Sequence, residues 1–273
     1  MKSKQLDWIS TIMLVIGSAA ILFPIYLTVV NALKTPQEIA QSVLSLPGSL
    51  TLENFRKAIE LTNFYRSFMN SLLITVFTVI FTLLTNSLVS FAITRNMHRP
   101  FYKGMYYYFV SALFIPFPVI MLPLVKQTAA LKLDNQFGLV FLYIVYGLAF
   151  NIFVYVGYIK SISTTMDEAA YIDGANTWQV FWHVIFPLIM PINATVGILT
   201  TLWVWNDFML PLVILNARED MTLPVVQFVF QSQFSTDFNL AFASYLMAMA
   251  PLILVYLLAQ KWIIGNVMRG AIK

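Results

Sequence analysis

The chain has 273 residues, of which 59% are hydrophobic and 10% charged, where soluble domains carry about a quarter charged. This excludes an ordinary soluble globule and points to an integral membrane protein with one helical domain and no surplus for a separate soluble one. The net charge of +4 comes from cations scattered at the ends of apolar runs, where they anchor a protein in a bilayer rather than bind nucleic acid; with no cysteine, disulfides, thiolate nucleophiles and cysteine metal sites are excluded.

A helix crossing ~30 Å of hydrocarbon needs about 20 mostly apolar residues, and six intervals qualify. The first, Trp8 to Leu33, follows Lys2 and Lys4 as a signal peptide would. Its uncharged run far exceeds the ~7–15 residues of a signal's apolar region, and no small-residue cleavage pattern follows. It is expected to be a retained, uncleaved span. Beyond it, Leu46-Pro47-Gly48-Ser49 marks a turn, and Thr51 to Ile59 reads as a short helix capped by Thr51. The second and third intervals are Ser67 to Thr94 and Gly104 to Val125, and the fourth is Asn135 to Ile159. The apolar run Gly174 to Asn206 is too long for one span, so its membrane part is placed at Ile189 to Leu210, with Asp207 near the far end. The sixth interval, Phe238 to Gln260, follows a loop, Asn216 to Asn239, that carries Thr222-Leu223-Pro224. That loop and the stretch Leu46 to Ile59 are candidate docking surfaces for an external partner, with ordinary solvated loops as the competing reading. Pro24, Pro116, Pro118, Pro123 and Pro251 fall within or at the ends of spans, where each removes a backbone donor and favours a kink.

Cations near the span ends set the orientation. The short second-to-third connection holds Arg95, His98, Arg99 and Lys103 with no acid, so it is assigned to the cytoplasm. With six spans both termini then lie there too, together with Lys160 and Lys261, while the cations of the long Lys34 to Arg66 segment lie outside.

Between the fourth and fifth intervals, residues 164–187 form a polar island that opens with Asp167, Glu168 and Asp173. Charge flanked by long apolar runs has to lie in water at one membrane face. Thr165-Met166-Asp167-Glu168 fits a capping box with Thr165 as cap and Glu168 three positions on, and Gly174 stands where a left-handed helix end favours glycine. Asn176 and Gln179 repeat the box, and Pro187 bounds the second helix. The spacing predicts helix, tight turn, helix. Ala169 and Ala170 would allow close approach of a partner, with Tyr171, Ile172 and Trp178 as apolar anchors. Alternatively, Glu168 only caps and Gly174 only terminates a surface hairpin.

Catalysis by this chain is not expected. There is no G-x-x-x-x-G-K-[ST] phosphate loop, no H-E-x-x-H and no G-x-S-x-G, and the two histidines, His98 and His183, lack metal-ligand spacing. No metal site is assigned.

Glu168-Ala169-Ala170, then three residues, Gly174, and nine more before an apolar stretch ending in Pro187 resemble the EAA loop of permease subunits of ATP-binding-cassette importers. Val184 and Phe186 stand where the family pattern has Ile and Leu, keeping apolar character. Resemblance runs along the whole chain: Asn31-Ala32-Leu33-Lys34-Thr35 with Glu38, Asn70-Ser71-Leu72, Ser90 to Arg95, Trp205-Asn206-Asp207-Phe208, Thr222-Leu223-Pro224-Val225 and the tail Arg269 to Lys273 are similar to the carbohydrate branch. Together they resemble the six-span second permease of maltose-type and multiple-sugar (type I) importers.

The resemblance implies an all-α integral membrane protein, residues 1–273 forming one permease domain in a bacterial or archaeal cell membrane. It implies a permease heterodimer, two cytoplasmic ATPase subunits that bind ATP and magnesium, and an extracellular sugar-binding protein. The EAA segment would be a coupling helix seated in a groove of the ATPase. Glu168 would contact a basic group there, with Ala169, Ala170, Asp173, Gly174 and Pro187 shaping the segment, and Arg269, Gly270 and Lys273 reaching towards the ATPase interface. Sugar contacts call for aromatic faces beside amides and carboxylates, which selects Tyr143, Tyr146, Asn151, Trp203, Trp205, Asn206 and Asp207 on the fourth and fifth spans, with membrane anchoring or bundle packing as the competing role. EAA loops also occur in importers of other solutes. An ion-coupled secondary transporter is the other alternative, but the spans carry almost no embedded ionisable groups.

Overall fold

The computed structural model describes residues 8–230 and 237–271, with side chains as far as 257 except at 229 and 255. Among the described residues every regular element is a helix. They fall into two units, one made of the chain up to Tyr65 with Val226–Val255, the other of Arg66–Val225 with the chain from Tyr256 onward.

In the first unit, α1 (Trp8–Ala32) is apolar on every side and continues past Pro24 as one helix; burial begins only at Val30, Asn31 and Ala32. A helix with no polar face and no cover from its own unit suits lipid. The chain then folds into a polar knot. Lys34 is wholly buried, its ammonium donating to Asn31 Oδ1 (3.3 Å) and the Ser42 carbonyl (2.9 Å). Asn54 donates to the carbonyls of Ala32 and Lys34. The short α2 (Pro36–Gln41) starts with a capping box between Thr35 and Glu38. The other oxygen of Glu38 accepts from the amides of Gly48 (2.8 Å) and Ser49 (3.2 Å), closing the turn expected there. The Thr35 amide, first among these donors, holds the Glu38 carboxyl below the usual range. Helix α3 (Glu53–Thr62) departs from expectation at both ends. Leu52 occupies the cap position, and Thr51 instead accepts from the adjacent Glu53 amide at 3.2 Å. The helix runs past Ile59 until Asn63 turns left-handed at φ 47°. Ala58 packs with Phe230, Leu240 and Ala241, the last two from the helix Phe238–Ala271.

The second unit is organised by α4 (Phe64–Arg95), whose two faces are inverted relative to a soluble helix. Ser67, Asn70, Ser71, Thr75, Thr78, Thr82, Asn86, Ser87 and Ser90 are buried at three- and four-residue steps, while Leu73, Val76, Phe77, Ile80 and Phe81 are exposed. Small polar residues inside and apolar ones outside are what packing in lipid selects, since hydrocarbon outside gives no reason to bury leucine. Next come α5 (Pro100–Ser111), α6 (Phe117–Ala130) and α7 (Gln136–Ile159), the last capped by Asn135. The third interval, Gly104 to Val125, is therefore not one rod. The helices Pro100–Phe114 and Phe117–Ala130 meet at 108°: Pro116 drives the preceding Ile115 into extended dihedrals and is itself extended, and Pro118 sits at the start of the next helix, where no backbone donor is needed. After α8 (Thr165–Ile172) and α9 (Thr177–Leu188), the chain bends by 76° into α10 (Met190–Asn206), and α11 (Met209–Ile214) follows.

Among the described residues three helices, α1, α4 and α7, are each long and apolar enough to cross a membrane, and each bent pair adds one if it counts as a broken span. The part Phe238–Leu254 of the last helix is apolar but shorter.

Candidate functional site

The polar island folds as two helices around a tight turn. At the front of α8 the expected capping box does not form: Thr165 is the first helical residue, and Thr164 holds the cap position with helical dihedrals (φ −65°, ψ −18°) and no side-chain hydrogen bond. A capping side chain reaches the third amide only from extended backbone. Ser163 partners the hydroxyl and amide of Thr165 instead, which leaves the Glu168 carboxylate pointing to the surface.

The turn follows the expected pattern. Gly174 has φ +88°, the Ala175 amide donates to the Ala170 carbonyl (2.9 Å) and the Gly174 amide to that of Tyr171 (3.0 Å). These are the two bonds of a Schellman ending. Asn176 and Gln179 then exchange bonds of 2.9 and 2.8 Å in a complete capping box. Pro187 cannot donate to the His183 carbonyl, and the helix just before it widens to a π turn over Val180–Ile185. The chain leaves α9 at Ile189, two residues past Pro187.

The two helices have different surroundings. Val180, Phe181 and Ile185 of α9, with Ile189, are fully buried against Phe91, Tyr155, Ile159 and Val196. On α8, Glu168, Ala169, Tyr171 and Ile172 are exposed, Ile172 at 86%. Trp178, at the start of α9, is exposed too. An anchored second helix thus presents an uncovered first helix with small residues flanked by apolar ones, the pattern of a helix that docks in a groove.

One contact on α8 has no signal in the sequence. The Arg95 guanidinium, at the end of α4, grips Asp167 with both arms, Nε to Oδ2 at 2.6 Å and Nη2 to Oδ1 at 3.1 Å. It also donates to the Ile162 carbonyl at 3.2 Å. Beside this pair lies an open recess of about 590 Å³ lined by Ala92, Arg95, Tyr102, Glu168, Tyr171 and Trp178, among others.

The sugar-contact candidates separate into three groups. Tyr146, Asn151 and Trp203 line one cavity of about 250 Å³ between α7 and α10, together with Gly147, Phe150, Leu199 and Thr200, which sequence reasoning did not select. A Cβ at Gly147 would sit 3.0 Å from the Asn151 amide nitrogen, so any larger residue there would press on that side chain. Tyr143 and Asp207 instead pair with each other, the phenol donating to Asp207 Oδ2 at 2.9 Å, while the Trp203 ring meets Tyr143 edge-on at 5.2 Å. Trp205 is buried edge-on against Phe68, and Asn206 is exposed with its amide donating to the Leu202 carbonyl. Neither lines the cavity. Of the tail residues, the backbone of Arg269 and Gly270 continues the last helix, while the Arg269 side chain and Lys273 lie outside the described residues.

Similarity to known proteins runs along nearly the whole chain. The multiple sugar-binding transport system permease protein MsmG of Streptococcus mutans is 38% identical over 96% of this chain and 95% of its own length. The "probable starch degradation products transport system permease protein AmyC" of Thermoanaerobacterium thermosulfurigenes is 36% identical over 92% and 91%. In fold, the chain is similar to one in the crystal structure of a bacterial ABC transporter involved in the import of the acidic polysaccharide alginate, with a TM-score of 0.81, 24% identity and coverage of 96% and 98%. Residues 86–269, which include the whole helix–turn–helix and the cavity, match the family model of binding-protein-dependent transport system inner membrane components, and this chain belongs to that family of integral membrane permeases.

Proposed function

We propose that this chain is the permease subunit of an ATP-driven, binding-protein-dependent importer of sugars, with oligosaccharides as the favoured cargo. The observation that carries the proposal is the division within residues 164–187: α9 is locked into the core of its unit while α8 offers Glu168, Ala169, Tyr171 and Ile172 to a partner. The sugar assignment is supported by relatives whose names specify multiple sugars and starch degradation products.

In this function the permease domain has six spans: α1, α4, the bent α5–α6 pair, α7, residues 189–210 built around α10, and the last helix. Both ends face the cytoplasm. A second permease completes the pathway, two cytoplasmic ATPase subunits bind ATP and magnesium, and an external binding protein delivers the sugar. Nucleotide-driven closure of the ATPases moves α8, and the bundle shifts from inward- to outward-facing because both partners favour one of its two states. The cavity between α7 and α10 would take a sugar ring against Trp203, with Asn151, Tyr146 and Thr200 to meet hydroxyls.

The test is purification in mild detergent followed by reconstitution. A second permease and an ATPase should accompany this chain, and ATP hydrolysis should rise with one or more members of a panel of sugar-loaded binding proteins. Isolation of the chain without an ATPase, or hydrolysis indifferent to every loaded binding protein, would sink it.

A further inference from the structure

We infer that the Arg95–Asp167 pair is the latch through which movement of α8 enters α4, and that α4 carries it to the loop at the opposite end of the unit. This rests on the coupling role proposed for α8. The pair is shielded as no other described ion pair is. Its side chains are 13% and 9% exposed, while those of Arg56–Glu53, Lys57–Glu53 and Arg66–Glu219 are 42% exposed or more. A bidentate pair that is mostly shielded holds one geometry more firmly than exposed pairs, which exchange freely with water. The guanidinium also grips the Ile162 carbonyl, so it fixes both α8 and the connection leading into it.

At its other end α4 is fastened just as specifically. Asn70 donates to the carbonyls of Glu219 (2.8 Å) and Met221 (3.1 Å), the Leu223 amide donates to Ser71 Oγ (2.9 Å), and Arg66 donates to the Glu219 carbonyl (2.9 Å). The helix that carries both fastenings is unbroken over its whole 32 residues, about 48 Å at ~1.5 Å per residue. It contains neither proline nor glycine, the residues at which helices hinge most sharply; the hydroxyls of Thr85, Ser90 and Thr94 that bond back four residues bend a helix but leave its ladder continuous. A stiff rod tied to the docking helix at one end and to residues 219–223 at the other transmits displacement rather than absorbing it. Arg95 and Asp167 are therefore positioning residues, touching neither nucleotide nor sugar.

Because the chain has no cysteine, two single-cysteine reporters can be read in the intact complex with its partner permease and ATPases. Ile172→Cys tests whether α8 cross-links to the ATPase. Ala217→Cys, exposed beside the far loop, carries a fluorophore whose signal is followed when magnesium-ATP and vanadate are trapped. With Arg95→Gln or Asp167→Asn, the cross-link should persist while the Ala217 response falls about fivefold or more, and the reversed pair Arg95→Asp with Asp167→Arg should recover part of it. An undiminished response in both single variants, with the cross-link intact, overturns the latch and leaves the coupling role standing. Absence of the cross-link in the otherwise unaltered chain overturns both. If either single variant fails to accumulate, Arg95→Lys, which keeps the charge and loses the fork, serves as the reading variant under the same criteria.

Discussion

Replacing Gly174 should break the link to the ATPase while leaving the membrane fold intact, and the size of the effect follows from the turn itself. A Cβ added there meets no heavy atom within 4 Å, so nothing clashes. The whole cost is the backbone's, because φ is +88°. An L residue held in the left-handed region costs about 1–2 kcal/mol, a factor of roughly 5–30 in the population of the native turn. Asparagine tolerates that region best after glycine, and a β-branched residue worst. Binding-protein-stimulated ATP hydrolysis in the reconstituted complex should therefore fall in the order Gly, Asn, Ala, Val at position 174. Accumulation in the membrane should stay level, since Val180, Phe181 and Ile185 keep α9 seated. Combining Glu168→Ala with Gly174→Pro should abolish coupling altogether. Equal stimulation for Asn, Ala and Val, or accumulation that declines in step with coupling, would refute the reasoning; so would normal sugar uptake by the double variant.

Three other outcomes are expected. The Glu38 carboxyl titrates below its ordinary 4.5, so its grip on the Gly48 and Ser49 amides is complete above that value and is lost as pH falls through the lowered one. The protection factors of those two amides, taken against the intrinsic exchange rate at each pH, should fall as the carboxyl is protonated, and Glu38→Gln should lower them at neutral pH; protection factors equal in Glu38→Gln and the unaltered chain would contradict this. Tyr143→Phe removes the donor to Asp207 and should lower the complex's thermal stability in detergent by an amount equivalent to about 1–2 kcal/mol, whereas an unchanged melting temperature would show that the contact contributes nothing. Asn151→Ala and Trp203→Ala should each raise KM for the transported sugar more than they lower kcat. Asn206→Ala, whose side chain turns back on its own helix, should do neither.

What the sequence disclosed and what it withheld divide along chain separation. The Gly174 turn and the Asn176–Gln179 box involve neighbours a few residues apart, governed by dihedral preferences that residue identity expresses directly. The cap assigned to Thr165 failed within that same local logic, because Ser163 and Thr164 offer competing hydroxyls and residue type alone does not say which one keeps extended backbone. Prolines 116 and 118 announced a break in the third interval but not its 108° size, which depends on how α5 and α6 each find their own neighbours. Arg95 and Asp167 are 72 positions apart, and Tyr143 and Asp207 are 64 apart. In each case both residues are visible in the sequence and their pairing is not. The cavity shows the same limit: Tyr146, Asn151 and Trp203 were chosen for their chemistry, while Gly147 and Thr200 were overlooked because a glycine and a threonine in an apolar helix look ordinary until two helices are brought together.

The inverted faces of α4 also say how such a chain finds its inside. In hydrocarbon a leucine is equally content anywhere, so apolar side chains cannot tell a helix which way to turn. The row from Ser67 to Ser90 can. It is the surface that lipid solvates worst, and it marks the seam on which α4 is sealed against its neighbours. A single leucine in place of Thr78 or Asn86 would subtract little from the helix as a membrane segment and much from its sense of direction.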